Sequence, residues 1–524
     1  MLDLLPYLAP LAMLVAAALG FREREAPRPV RAVRRAEFLA GVALAVALAS
    51  ALLVAARGPS TGSLLEIGGW GLSARLDPLT AVMLPLVAFV GWVVLRYSAT
   101  YLDGERRQGA FTGWMSAALA AVMLLVIAGN LVQLALAWIA IGLCLHRLLL
   151  FRGERAAARR AARKKAVTAT LGGVAMVAAV VLLGAGFDTG DIATILALAR
   201  AGEAPPTAPW AAVLLAVAAL LKSAQFPTQG WLTEVMEAPT PVSALLHAGV
   251  VNAGGFLLVR FADLVLLAPV LLAALVMIGG LTAIVGALVM LTQPVTKTSL
   301  AWSTVSQMGF MVMQCGLALF PLAVLHIVAH SLYKAHAFLA AGEAVERVAA
   351  TRRPGPVAVP NARAVWLAFA TAVAIYTGVG LLFGFDERSP QAIALGAILI
   401  FGVAYLIAQG LAGAAPAALG RRMLLYSLAA ALAYFALHGV SKWVLGGTLP
   451  PAPDPGPLEW ALLGLAVISF ALVAIGQSMF PLWSHHPAAA GLRVHLANGL
   501  YANAIGDRLL GGWSVRERAP RAPS

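Results

Sequence analysis

An all-α, polytopic membrane protein of about fifteen transmembrane helices is the fold class this sequence predicts, and three observations carry the prediction. First, 61% of the 524 residues are hydrophobic and 11% are charged, with a mean hydropathy of +0.87. A soluble chain is roughly 45–50% apolar and about 25% charged, so too little polar surface remains here to cover a particle in water. Second, apolar runs of about 18–25 residues recur along the chain, the length that carries a helix across about 30 Å of hydrocarbon. Third, the basic residues between these runs alternate between rich and poor segments.

Taken in order, helices are expected near residues 4–21, 38–56, 77–97, 112–129, 131–150, 166–186, 210–232, 240–261, 264–291, 297–316, 322–342, 362–384, 390–411, 422–445 and 457–479. Arginines rather than a small-residue cleavage site follow the first run, Leu4 to Phe21, so it reads as a span and not as a signal peptide. With the N-terminus outside, the inner loops collect 24 basic residues and the outer loops and span ends five: Arg57, Arg75, Arg200, Arg260 and Arg388. The arginine-rich segment from Arg147 to Lys165 is the largest inner block. That asymmetry orients the chain with an inner, basic C-terminal tail in a bacterial inner membrane. It also gives the net charge of +14 a topological meaning rather than a nucleic-acid one. Cys144 and Cys315 sit inside apolar runs without metal-ligand spacing and read as packing residues.

Three lysines fall within spans: Lys222, Lys334 and Lys442. Ionisable groups in a membrane helix are costly and mark pathways or partners. Lys222 precedes Ser223-Ala224-Gln225-Phe226-Pro227, where Pro227 removes a backbone donor and breaks the helix. A break is tolerated only against protein or a water-filled cavity, and broken helices hold ion sites in transporters. Ser223 and Gln225 can satisfy the freed groups. A desolvated lysine there can load and release a proton, the alternative being a structural pairing. Glu237 stands in the polar turn beyond the break as a possible partner for a buried cation. His247 follows in the next apolar helix, as a relay or a helix–helix hydrogen bond. His326, His330 and Lys334 recur every four residues, which stacks them on one helical face about 6 Å apart, a plausible proton wire. His336 lies off that face. Lys297 sits near the inner end of the preceding helix, as a route residue or a solvated charge. Lys442 reads as snorkelling. Asp386, Glu387 and Arg388 form a solvated loop or an outer vestibule, and His485-His486 is a solvated pair rather than a metal site. No metal, cofactor or catalytic residue is expected in this chain.

From Lys222 to Arg260 the run LKSAQFPTQGWLTEVMEAPTPVSALLHAGVVNAGGFLLVRF resembles the proton-conducting antiporter-like membrane subunits. These include the distal membrane subunit of respiratory complex I, the Mrp-type cation/proton antiporter subunits and the DabB subunits of DAB inorganic-carbon transporters. Lys297 to Gly309 and the His-x3-His-x3-Lys pattern extend the resemblance over roughly residues 75–345. It implies two inverted five-helix repeats with broken helices and a route of buried lysines. It divides the chain into N-terminal spans (1–110), an antiporter-like core (111–411), C-terminal spans (412–480) and a basic cytoplasmic tail (481–524).

The departures choose among branches. Where complex I subunits place a glutamate after the tryptophan of the fifth span, Ile139 follows Trp138. Leu171-Gly172-Gly173-Val174 and Val295 replace two further acids. His146 to Phe151, Val250 to Phe256 and the tail His495-Leu496-Ala497-Asn498-Gly499-Leu500-Tyr501 are similar to DabB instead. That resemblance implies a cation-conducting subunit, for H+ or Na+, which powers CO2 hydration and bicarbonate accumulation by a DabA-like partner resembling a zinc carbonic anhydrase on the cytoplasmic face. The rival readings are a proton-pumping subunit of a NADH–quinone oxidoreductase, an Mrp-type antiporter subunit, and a non-conducting anchor for a cytoplasmic enzyme.

Overall fold

Short polar residues set where the helices begin. The Asp77 carboxylate accepts the Thr80 amide at 2.8 Å, and Pro78 occupies the first helical position. Asn130, Asp191 and Ser389 cap later helices in the same way. The structure is a computed structural model and describes residues 2–235, 238–341, 360–384, 388–411, 417–479, 483 and 486–509.

In chain order the first six helices are α1 (Leu8–Arg22), α2 (Val30–Arg57), α3 (Pro78–Tyr101), α4 (Gln108–Val126), α5 (Leu131–Leu149) and α6 (Ala156–Phe187). Next come α7 (Ile192–Arg200), α8 (Ala208–Lys222), α9 (Gly230–Thr233), α10 (Thr240–Ala248), α11 (Ala253–Arg260) and α12 (Ala262–Val265). Then follow α13 (Pro269–Met290), α14 (Thr296–Gly316), α15 (Phe320–Ala340), α16 (Ala362–Leu382), α17 (Pro390–Gly410), α18 (Ala417–Leu445), α19 (Pro457–Ser478), α20 (Ala490–Ala497) and α21 (Ala502–Leu509). All fifteen expected segments hold helix. Twelve helices among the described residues are long and apolar enough to cross a bilayer, while the apolar α8 is shorter. The fold is an all-α membrane helix assembly, and a count of fifteen spans does not follow from these helices.

The structure departs from the sequence reading at four elements. Between α2 and α3 lies an antiparallel hairpin, β1 (Ser60–Ile67) and β2 (Trp70–Leu76). Its turn is Gly68-Gly69, both at positive φ, the backbone that a tight two-residue hairpin demands. Helix α6 starts ten residues before the expected 166, so its basic first turns are helix rather than loop. The expected span 210–232 stops at Lys222, ahead of Pro227, and resumes only as the short α9. The expected span 240–261 is interrupted by a 3-10 turn at Val250–Asn252.

Two compact units divide the chain. The first comprises residues 1–268, 327–342 and 502–524, and the second 269–326 and 343–501. In the second, α13 and α14 pack through small residues. A Cβ on Gly279 would lie 2.5 Å from the Met313 nitrogen, and one on Gly309 would lie 2.5 Å from the Ala283 nitrogen, so the backbones meet directly. Helices α16, α17 and α18 close around Phe435, Ala404 and Ala368. Large apolar side chains such as Trp443 and Leu382 stand more than four-fifths exposed, as lipid-facing positions do.

Candidate cation route

Lys222 is the last residue of α8. Beyond it Ala224 takes a left-handed φ of 51°, which turns the chain out of the helix. Local side chains satisfy the break. Gln225 Nε2 donates to the Ser223 carbonyl at 3.0 Å, and the Thr228 amide donates to the Gln225 carbonyl at 2.7 Å. The Ser223 hydroxyl donates to the Val251 carbonyl at 3.1 Å, in the second break. Two interrupted helices of the first unit therefore meet break to break, an arrangement tolerated only away from lipid.

The Lys222 ammonium is buried, 4.3 Å from the centroid of the Trp138 ring, and donates to the Trp138 carbonyl at 3.4 Å. Where the sequence resemblance to complex I subunits leads one to expect a glutamate, this chain offers the π face and carbonyl of Trp138. Such a partner holds a cation without neutralising it.

His247 is fully buried in α10, its ring stacked on Phe338 with centroids 4.4 Å apart. Its carbonyl lies 3.0 Å from Nε2 of His330, which must be the protonated nitrogen because a carbonyl only accepts. Asn252 Nδ2, in the turn after α10, contacts the Ser331 hydroxyl at 2.9 Å and the Ala248 carbonyl at 3.0 Å. The first unit thus brings together Lys222, the second break, His247, His330 and the buried Lys334. Helix α15 is continuous, so His326, His330 and Lys334 share a face. His326 belongs to the second unit, its ring 5.8 Å from that of Phe310, and so does the half-buried Lys297 on the first turn of α14. His336 and Lys442 are exposed. Glu237, Asp386, Glu387 and His485 lie outside the described residues. Among the described residues no group of three His, Cys, Asp or Glu is placed to hold a metal ion.

Sequence reasoning missed two clusters. Lys164 and Lys165, counted as loop charges, are buried on the first turns of α6. Lys165 Nζ lies 4.4 Å from the Trp231 ring, and Lys164 pairs with Glu234 at 2.5 Å, just beyond α9. Their position at the edge of an apolar run was the available signal. Arg260, counted as an outer charge, is buried against Asp77 and bonds the Thr80 hydroxyl at 2.8 Å, while Arg75 reaches Asp77 at 2.9 Å. Burial opposes ionisation of Asp77, yet Arg260, Arg75 and the Thr80 amide hold its carboxyl below the usual carboxylate range.

Comparison with known proteins places the chain in a family. The family described as NADH:quinone oxidoreductase/Mrp antiporter, TM, matches residues 128–386, and the one described as complex I chain 5 N-terminus matches residues 68–112. "Probable inorganic carbon transporter subunit DabB2" of Halothiobacillus neapolitanus is 38% identical over 456 residues, 84% of this chain and 81% of that one. "Probable inorganic carbon transporter subunit DabB" of Hydrogenovibrio crunogenus is 41% identical over 336 residues, 64% of each chain. The structure of the Mrp complex from a Dietzia species matches with a TM-score of 0.58 at 26% identity, covering 98% of this chain and 58% of that one.

Proposed function

The chain belongs to the DabB family of inorganic carbon transporter subunits, within the superfamily of complex I and Mrp membrane subunits, and on that premise we propose that it conducts protons through the bilayer to power inorganic carbon uptake. The observation that carries this reading is Lys222, a buried ammonium at a helix break, resting on the Trp138 ring and carbonyl. A cation held by a π face and one carbonyl is restrained and still able to give up its proton. The Ser223–Val251 bond seats this group against the turn that follows the helix of His247, and His330 Nε2 donates to the His247 carbonyl, which holds the two histidines' helices against each other. Lys334, one turn further on the same face of α15, is fully buried. The ionisable side chains gathered here are lysine and histidine, groups that take up and release a proton, and on this ground H+ is the ion of the proposal.

CO2 hydration belongs in this reading to a DabA-like partner resembling a zinc carbonic anhydrase, and this subunit supplies ion entry. With the buried Lys164, Lys165 and Arg260 set aside, an excess of 22 basic residues over four supports an N-terminus outside and a C-terminal tail in the cytoplasm of a bacterial inner membrane. The test is growth in air of cells that lack carbonic anhydrase and express the chain with its partner. The parent pair restores growth, and Lys222→Ala with His330→Ala abolishes rescue. Full rescue by that double variant, at equal membrane abundance, would remove the proposed route. Rescue that depends on quinone reduction would return the chain to the oxidoreductase reading.

A further inference from the structure

Lys164 is 6% exposed, and its ammonium touches two carboxylates, Glu234 Oε1 at 2.5 Å and Asp507 Oδ1 at 2.6 Å. Arg160, one turn earlier on α6, reaches the same two, Glu234 Oε2 at 3.7 Å and Asp507. The two carboxylates come from distant places. Glu234 follows α9, the segment that resumes after the Lys222 break, and Asp507 lies on α21, far along the chain. Lys165, the next residue, is buried and stacked on Trp231 of α9. The ring of two cations and two carboxylates therefore closes the far end of the same broken segment that begins at Lys222.

Helix α21 is seated there by a second contact. Asn503, one turn before Asp507, lies 3.3 Å from the Thr233 hydroxyl and directly on Gly230, where any Cβ would collide with its side-chain oxygen. Glu234 alone can satisfy Lys164 if the tail leaves, and Arg160 is half-exposed and can turn to water. Withdrawal of Asp507 thus strands no buried charge, in contrast to an ordinary buried ion pair. The contact is built to open.

We propose that Lys164 is the inner gate residue of the route and that the C-terminal helix holds the gate shut through Asp507 and Asn503. This rests on the proton-conducting reading above, so the test separates the two. The full chain in lipid nanodiscs carries Val235→Cys, a buried position beside Glu234, and its labelling by a membrane-impermeant maleimide is compared with that of the parent, whose two cysteines are buried. Asp507→Asn and Asn503→Ala each raise labelling about tenfold by freeing the tail. In proteoliposomes Asp507→Asn raises proton flux severalfold, and adding Lys222→Ala removes that gain. Unchanged labelling in both tail variants overturns the latch, whatever the flux. Raised labelling with unchanged flux in a conducting parent overturns the gate. Raised labelling in a parent that conducts nothing overturns the proton route itself and, with it, the gating role.

Discussion

At the scale of single residues, the buried cations are held in different ways. Lys222 rests on Trp138 without a carboxylate partner among the described residues, while Lys164 is shared between two. Trp138→Leu removes the π face but leaves the carbonyl, and proton flux in proteoliposomes falls about tenfold, in line with a desolvated cation–π contact. Trp138→Phe restores most of it. At the opposite extreme is Arg260, clamped to Asp77. Asp77→Asn leaves two guanidiniums uncompensated and costs about 3–5 kcal/mol, read as a lowered melting temperature, and Arg260→Met added to it recovers much of the loss. The pH dependence follows from the lowered Asp77 carboxyl. A depressed carboxyl contributes stability above its unfolded value of about 4 and loses it as pH falls through the folded value. The melting temperature of the parent therefore falls in acid, and Asp77→Asn flattens that fall. Asp507 follows the same sign: burial raises its carboxyl, but Lys164 and Arg160 outweigh this and hold it low, so the tail stays docked at neutral pH.

At the scale of elements, hydropathy made the helices legible and packing decided the rest. Fifteen apolar runs announced themselves because lipid requires them. The first break was readable from Ser223, Gln225 and Pro227, polar and donor-free residues in an apolar run. The second was not, because Val250 and Val251 look like ordinary span residues and their turn is fixed by Ser223 and Ser331 from elsewhere. The hairpin carried its signal in Gly68-Gly69, outweighed by the surrounding apolar composition. Lys164 and Lys165 read as solvated charge because nothing nearby in sequence reveals Trp231, Glu234 or Asp507 as their neighbours. The glycine seam between α13 and α14 makes a separate prediction. Gly309→Leu pushes the two backbones apart and costs about 1–3 kcal/mol, measured by unfolding in a detergent series, while flux per folded molecule changes little.

At the scale of the whole molecule, the charge asymmetry, the family and the two compact units fit one subunit of a larger assembly. A fluorescent protein fused to the C-terminus is bright and an alkaline phosphatase fused there is inactive, if the tail lies in the cytoplasm as proposed. The hairpin between α2 and α3 has a practical consequence. Gly68 has open space where a side chain would grow, and it stands at an exposed tip between strands that are paired along their length. Such a tip accepts an inserted peptide with little cost to the fold. With the N-terminus outside as proposed, an epitope placed there becomes an address label on the periplasmic face, one that antibodies reach once the outer envelope is opened and that pulls the native assembly out of a membrane extract with its companions attached.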